Sequence, residues 1–423
     1  MTPYVDPTYF LLLLYPLLGL VILGVLGRLG RSAVLLVSLA LVFYQYGDPA
    51  GDAGASDGSR QLIFLVSYAL ASTMVVLAYA RARRTRRAQV AFYAAIALVL
   101  LPLVAVKVWP LAQSVAHAAD VPVAAGPPLP PPPPGVPAPQ TGLLDTVGFL
   151  GLSYMSLRVV DALIALHDGV VREAPSTASL LSYLLFVPTI SAGPIDRFRH
   201  FAGELDTLPR SRREYLDDVE AGLHRVAQGF LYKFIFAYLV YRHALRPLAT
   251  RPGALATVEY MYAFSAYLFF DFAGYSAFAI GVGRFFGIRV PENFNAPFLS
   301  RNFREMWDRW HISLSWWLRD HVYMRFMLTA TRRKWFGGNA RWAHAVGLLL
   351  TMGLMGCWHG LEPRYVVYGL YQGVMLIGYD AVARWGRRHG MAGEGRLAHL
   401  AGVFTTVNLF CFGLLIFSGR LFR

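Results

Sequence analysis

The chain has 423 residues, 56% of them hydrophobic and only 15% charged. That balance excludes a string of soluble domains and points to one polytopic, all-α transmembrane bundle of about ten or eleven spans. The net charge of +14 comes from 39 Lys+Arg against 25 Asp+Glu; the basic clusters lie between apolar runs, where cytosolic loop charge, anionic lipid and an acidic cytosolic partner account for it, so nucleic acid is not an expected partner.

The chain opens with MTPYVDP, which lacks the basic flank of a signal peptide, and then runs apolar over 9–27, long enough to cross a bilayer core as an uncleaved first span. Further spans are predicted over 33–46, 62–80 and 90–109. Arg28 and Arg31, then RARRTRR at 81–87, mark cytosolic loops, while Asp48, Asp52 and Asp57 mark an outer one. These residues form an N-terminal membrane part, 1–120. The stretch VPVAAGPPLPPPPPGVPAPQ, within a linker drawn over 121–145, favours an extended polyproline spacer on the extracytoplasmic side. The third part, 146–423, carries the motifs.

An apolar helix over 150–166 contains Arg158 and Asp161, three apart on one face and expected to pair inside the bundle. Residues 180–193 are short for a span, contain Pro188 and end in GPIDRFRH, which predicts a re-entrant or broken helix. Arg197, Arg199, Arg210, Arg212 and Arg213 follow in a cytosolic loop, where they either set topology or receive an acidic carrier. A helix over 222–245 holds Lys233, and another over 258–286 holds Asp271 with Tyr275 one turn on. A central carboxylate must be paired, hydrogen-bonded or protonated, so Asp271 is read as supporting a site from behind.

Residues 293–325 break the apolar pattern, interleaving Arg304, Asp308, His311 and Arg319 with Trp307, Trp310, Trp316 and Trp317. Facing lipid at the bilayer centre, each Asp or Arg would cost roughly 2.5–3.5 kcal/mol. The segment therefore belongs inside the protein or at a membrane surface. Helical spacing would put Arg304, Asp308 and Ser315 on one face with His311, and Trp307 and Trp310 on the neighbouring stripe. Two readings stay open on spacing alone: a solvated face with a satisfied histidine, or an imidazole oriented by Asp308 and hydrogen-bonded by Ser315.

Downstream, 343–358 forms an apolar helix ending in Gly353, Gly356, Cys357, Trp358, His359 and Gly360. Its glycines make a thin face where another backbone or a substrate chain can approach closely. Cys357 and Cys411 sit in apolar runs without CxxC spacing, and predict neither a disulfide nor a metal site. A last span covers 398–417. Arg384, Arg387, Arg388 and Arg396 assign the preceding loop to the cytosol, whereas SGRLFR at the end argues for the opposite parity.

The run WDRWHISLSWWLRDHVYMRF, preceded by PENFNAPFLSRNF, closely resembles the signature of the membrane-bound O-acyltransferase family, and within it the D-alanyl-transfer branch. MGLMGCWHGLEPRYVVYGLYQG, YLFFDFAGYSAFAIG and FVPTISAGPIDRFRHF match further family elements, all in family order between residues 186 and 373. HVYMRFM stands where the alginate O-acetylase branch usually reads YIPLGG, and GPIDRFRHF matches the D-alanyl type. The resemblance implies a helical bundle with re-entrant and interfacial helices around a central tunnel, in a bacterial inner (cytoplasmic) membrane. It maps the two motif histidines onto His311 and His359. His359 is then the residue on which activity depends, with Trp358 beside it. The GLEPRY that follows departs from the pattern by placing Glu362 and Arg364 in the adjoining wall.

Acyl transfer from a thioester to a hydroxyl needs a base, donors for the tetrahedral oxyanion, and exclusion of water. An imidazole titrates in the right range for the proton transfer. The expected assignment is His359 as general base, His311 as a second catalytic or positioning group, and Trp307, Trp310, Asp308, Ser315, Asp271, Tyr275 and Trp358 supporting the site or shaping the channel. No GxSxG elbow accompanies these motifs, so direct transfer is expected rather than an acyl-enzyme. The resemblance further implies a D-alanyl group on the phosphopantetheine of a cytosolic acyl carrier protein, a hydroxyl acceptor on a teichoic-acid-type or other envelope polymer, a DltD-like membrane partner with a small acceptor peptide as a further candidate, and no bound cofactor or metal. An exopolysaccharide O-acetyltransferase is the alternative within the family. A transporter or flippase with histidine relays is the alternative outside it, and lacks the repeated halves expected there.

Overall fold

A backbone in lipid must satisfy its polar groups within its own segment, and the long apolar runs do so as helices. The computed structural model describes residues 8–46, 55–120, 151–390 and 395–422. The proline-rich spacer, Asp48 and Asp52 lie outside the described residues. Among those described, helices α1 (Thr8–Val25), α2 (Arg31–Tyr46), α3 (Ala55–Ala82), α4 (Ala88–Asp120) and α5 (Leu152–His167) follow the expected order. The only extended pairing among the described residues is a single antiparallel bridge between Phe294 and Trp310. Five helical segments are long and apolar enough to cross a bilayer: Arg60–Ala82, Ala88–Trp109, Ala254–Phe285, Pro363–Arg388 and Arg396–Ser418. Shorter apolar helices cover Tyr9–Val25, Arg31–Tyr46 and Thr177–Thr189.

The chain divides into two units, one of Met1–Leu20, Arg28–Ser191 and Arg197–Pro209, the other of Val21–Gly27, Ala192–Asp196 and Arg210–Arg423. In the first, the Tyr68 hydroxyl on α3 lies 2.9 Å from Ser156 Oγ on α5 and donates to Val99 O on α4 at 3.0 Å. Arg158 is buried, and one of its guanidinium nitrogens donates to Tyr183 O at 3.0 Å while another meets the backbone and side chain of Thr189. These carbonyls are freed because α6 (Thr177–Leu184) stops and a 3-10 turn over Val187–Thr189 replaces it. The break expected at Pro188 is present, and Arg158 serves it. Asp161 accepts from Arg197 at 2.9 Å and caps α7 (Phe198–Asp206) through Phe198 N at 2.7 Å. Both groups of the expected pair are buried, and each takes these further partners from other elements.

In the second unit, α8 (Arg212–Phe230) starts at a capping box in which Ser211 and Glu214 satisfy each other's backbone N–H groups. Helical winding then continues through wider π turns over Leu231–Ala237 and Tyr241–Leu245 as far as Leu248. The helix is thus longer than the expected 222–245, and its winding is not uniform. It packs along α9 (Ala254–Phe285), where Gly229 faces the Phe278 ring and Gly274 faces Lys233. Lys233 pairs with Asp271, so the central carboxylate has its counter-ion on the neighbouring helix. Asp218, almost fully buried, gathers Arg284 at 2.8 Å, Arg289 at 3.0 Å and Arg210 at 3.5 Å. Arg210 therefore has a structural role in addition to any topological one.

Candidate functional site

Residues 293–325 do not form one helix. The bridge between Phe294 and Trp310 lays residues 293–295 against 309–312, with Asn295 N donating to Arg309 O and Ile312 N donating to Asn293 O, each at 3.0 Å. Helix α10 (Phe303–Arg309), capped by the Asn302 side chain, ends there, and α11 (Ile312–Leu318) begins immediately after. His311 sits in the break with φ 45° and ψ 50°. A non-glycine residue in that left-handed region costs on the order of 1–3 kcal/mol and persists only where its surroundings over-determine it.

The break overturns the expected helical face. Asp308 is exposed, Arg304 donates to Asp380 at 2.8 and 3.0 Å, and Ser315 Oγ donates to the backbone carbonyls of His311 and Trp310. The side chain that meets the imidazole is Asn293, whose Oδ1 lies 3.2 Å from His311 Nδ1. The same oxygen accepts from Ser313 Oγ at 2.7 Å and Ser313 N at 3.3 Å, and Asn293 Nδ2 donates to Ser276 Oγ at 3.1 Å. Ile195 N, from the GPID motif, donates to Ser313 Oγ at 2.9 Å. Phe272, one residue after Asp271, stands edge-on to the imidazole with ring centroids 4.8 Å apart. His311 is 4% exposed and its Nε2 has no hydrogen-bond partner among the described residues. It lies outside the five candidate spans. Burial, reinforced by His359, pushes its imidazole well below the usual range, against a smaller opposing effect of its own backbone.

Helical winding continues from α11 over Arg319–Arg332, and His359 closes the next α-helix, α12 (Ala340–His359). Gly356 lets this helix meet α13 (Pro363–Arg388) at Gly369; a Cβ on Gly356 would stand 2.3 Å from Tyr365 O, and one on Gly369 2.3 Å from Met352 O. The thin glycine face thus receives a neighbouring backbone. Trp358, Tyr365, Tyr368 and Phe417 surround the His359 ring at centroid distances of 4.9 to 6.4 Å. Glu362 and Arg364 pair with each other at 2.7 Å, and the guanidinium lies over Tyr365. The departure from the family pattern is therefore internally compensated.

A cavity of about 330 Å³ has a wall that includes Trp307, Asp308, Ser315, Tyr323, His344 and Thr351 but neither His311 nor His359. The expected supporting residues Trp307, Asp308 and Ser315 thus come together there and not on the imidazole of His311. Trp307 is buried and its indole N–H has no hydrogen-bond partner among the described residues. Trp310 instead packs among Phe269, Phe294, Phe298 and Phe410. Tyr275 is buried one turn after Asp271. Sequence reasoning missed Asn293, Ser313 and a polar chain in the cavity wall, in which Tyr323 OH lies 2.6 Å from His344 Nδ1 and His344 Nε2 lies 2.6 Å from Asp380. No motif signalled that chain, because its members come from separate helices.

Residues 152–419 match the model of the MBOAT, membrane-bound O-acyltransferase family. The chain is 35% identical to the teichoic acid D-alanyltransferase of Bacillus subtilis, over all of this chain and 99% of that protein, and 34% identical to that of Lacticaseibacillus rhamnosus, over 99% and 97%. Similarity to a probable alginate O-acetylase of Pseudomonas syringae, at 35% identity, covers 54% of this chain and 42% of the relative. The two motif histidines, the apolar helices and this match across most of the chain lead to one conclusion: the chain is a multi-pass membrane protein and belongs to the membrane-bound O-acyltransferase family, whose activity is O-acyl transfer.

Proposed function

We propose that the enzyme transfers D-alanine from a carrier-protein thioester in the cytosol to a hydroxyl on an extracytoplasmic acceptor, in a bacterial cytoplasmic membrane. The reading is supported by His311 and His359, which come from separate segments of the chain and of which the second adds to the burial that holds the His311 imidazole below its usual range. Similarity along the whole chain to proteins named teichoic acid D-alanyltransferase supports D-alanine as the acyl group, since the likeness to O-acetylases stops near half the chain.

In this reading His359 takes the proton of the attacking hydroxyl as its oxygen bonds to the thioester carbonyl carbon. The tetrahedral oxyanion then collapses, the C–S bond breaks, and the thiolate recovers the proton from the imidazolium. The single proton of the attacking hydroxyl goes to His359, so the His311 imidazole, kept neutral by burial, offers its Nε2 lone pair to a second hydrogen-bond donor of the substrate. The aromatic ring set around His359 keeps out water that would hydrolyse the thioester. Transfer of phosphopantetheine-linked D-alanine needs no bound cofactor or metal. The acidic carrier, a DltD-like membrane partner and a teichoic-acid-type or other envelope polymer complete the scheme.

The test is transfer of labelled D-alanine from a loaded carrier protein in proteoliposomes with the cognate partners. Wild-type transfer abolished by His359→Ala at matched folded protein is the expected result. Transfer of acetyl but not D-alanine would move the enzyme to the O-acetylase branch, and unchanged transfer by the variant would remove His359 from the mechanism.

A further inference from the structure

The hydrogen-bond directions around Asn293 are determined by atoms that have no choice. Ser313 N is a backbone amide and can only donate, so the Asn293 side-chain atom 3.3 Å from it is the carbonyl oxygen, and the amide cannot be flipped. The Ser313 hydroxyl already accepts from Ile195 N, and its single proton goes to the same oxygen at 2.7 Å. The Asn293 amide nitrogen is turned away toward Ser276 Oγ. An amide oxygen carries no proton. Hence the His311 ring nitrogen facing it at 3.2 Å, Nδ1, is the donor.

We propose that Asn293 is a positioning residue that holds His311 as the Nδ1–H tautomer, so that Nε2 presents a lone pair to a second hydrogen-bond donor of the substrate, beside the hydroxyl whose proton goes to His359. The direction of this lone pair rests on the contacts above; its use on the substrate rests on the acyl-transfer reading. Nε2 is buried and has no hydrogen-bond partner among the described residues, which leaves it open to a donor brought by the substrate. Burial and the neighbouring His359 disfavour the doubly protonated ring, so the tautomer is a real choice between two neutral forms. One short segment sets both features of the residue. Asn293 also accepts Ile312 N at its backbone carbonyl, next to the left-handed turn at His311, so ring orientation and proton position are established by the same contact region.

The experiment is nitrogen-15 NMR of histidine-labelled full-length enzyme in nanodiscs, with the His311 signals among the eleven histidines assigned by difference against His311→Gln. Wild type should show a protonated Nδ1 and an unprotonated Nε2. The opposite tautomer would overturn the proposal outright, with no variant needed. Asn293→Asp keeps an acceptor at the same place and should retain both the tautomer and transfer. Asn293→Leu, judged folded by its elution and melting, should lose the single tautomer and slow transfer at least tenfold. A folded Asn293→Leu that keeps the Nδ1–H signal would show that Asn293 does not set it. The expected tautomer in an enzyme that transfers no D-alanine would sustain the positioning role and refute the donor assignment instead.

Discussion

Gly356 and Gly369 touch backbone to backbone, each lying where a Cβ would collide with a carbonyl oxygen or main-chain atom of the facing helix. The contact lies three residues before His359 and sets how closely its helix meets the next. Gly369→Ala should force the two helices apart, at a cost of about 1–3 kcal/mol by overpacking. Thermal unfolding in nanodiscs would read the loss, and transfer should fall by more than the folded fraction because His359 moves with its helix.

The two histidines should not contribute independently. Each single substitution, His311→Ala or His359→Ala, is expected to lower transfer by about a hundredfold or more, in the range of one general acid or base. The double variant should be little worse than the more damaging single one. Additive losses in single-turnover transfer would mean that the two rings act in separate steps.

The depressed His311 ionisation has a pH consequence for stability. A folded imidazole held below its unfolded value of 6.5 is neutral in the native state, so the unfolded chain binds the extra proton first as pH falls. This contribution is fully present above 6.5 and is lost as acid approaches the folded value. Melting temperature measured from pH 7.5 down to pH 4.5 should therefore fall more steeply in wild type than in His311→Gln. Parallel slopes would show that His311 is solvated.

Asp271 and Lys233 supply a separate test of the frame. Their side chains are 34% and 9% exposed, so Asp271→Leu strands the more deeply buried cation. Removing one partner of a buried pair costs about 3–5 kcal/mol, whereas replacing both by apolar groups of similar volume is often neutral. Asp271→Leu should thus be poorly folded, and Asp271→Leu with Lys233→Met should recover the melting temperature. Transfer by the double variant distinguishes a supporting role, which survives the exchange, from a direct one, which does not.

Hydropathy is a local property, and reading residues in order is enough to find the apolar helices, the break at Pro188, the intramembrane carboxylate that needs a partner, and two histidines in family motifs. Helical periodicity also reports neighbours one turn apart, but only while the helix continues. At His311 it does not, because a bridge from residue 294 pulls the chain into a left-handed turn. The face shared with Asp308 and Ser315 is lost, and an asparagine eighteen positions away takes the imidazole. The partners of Arg158, Asp271 and His344 likewise come from other helices, as the polar groups of a bundle must. Residue types and hydropathy dictate that such groups be satisfied; which atoms satisfy them, and hence which nitrogen of His311 keeps its lone pair, depends on how the separated segments pack.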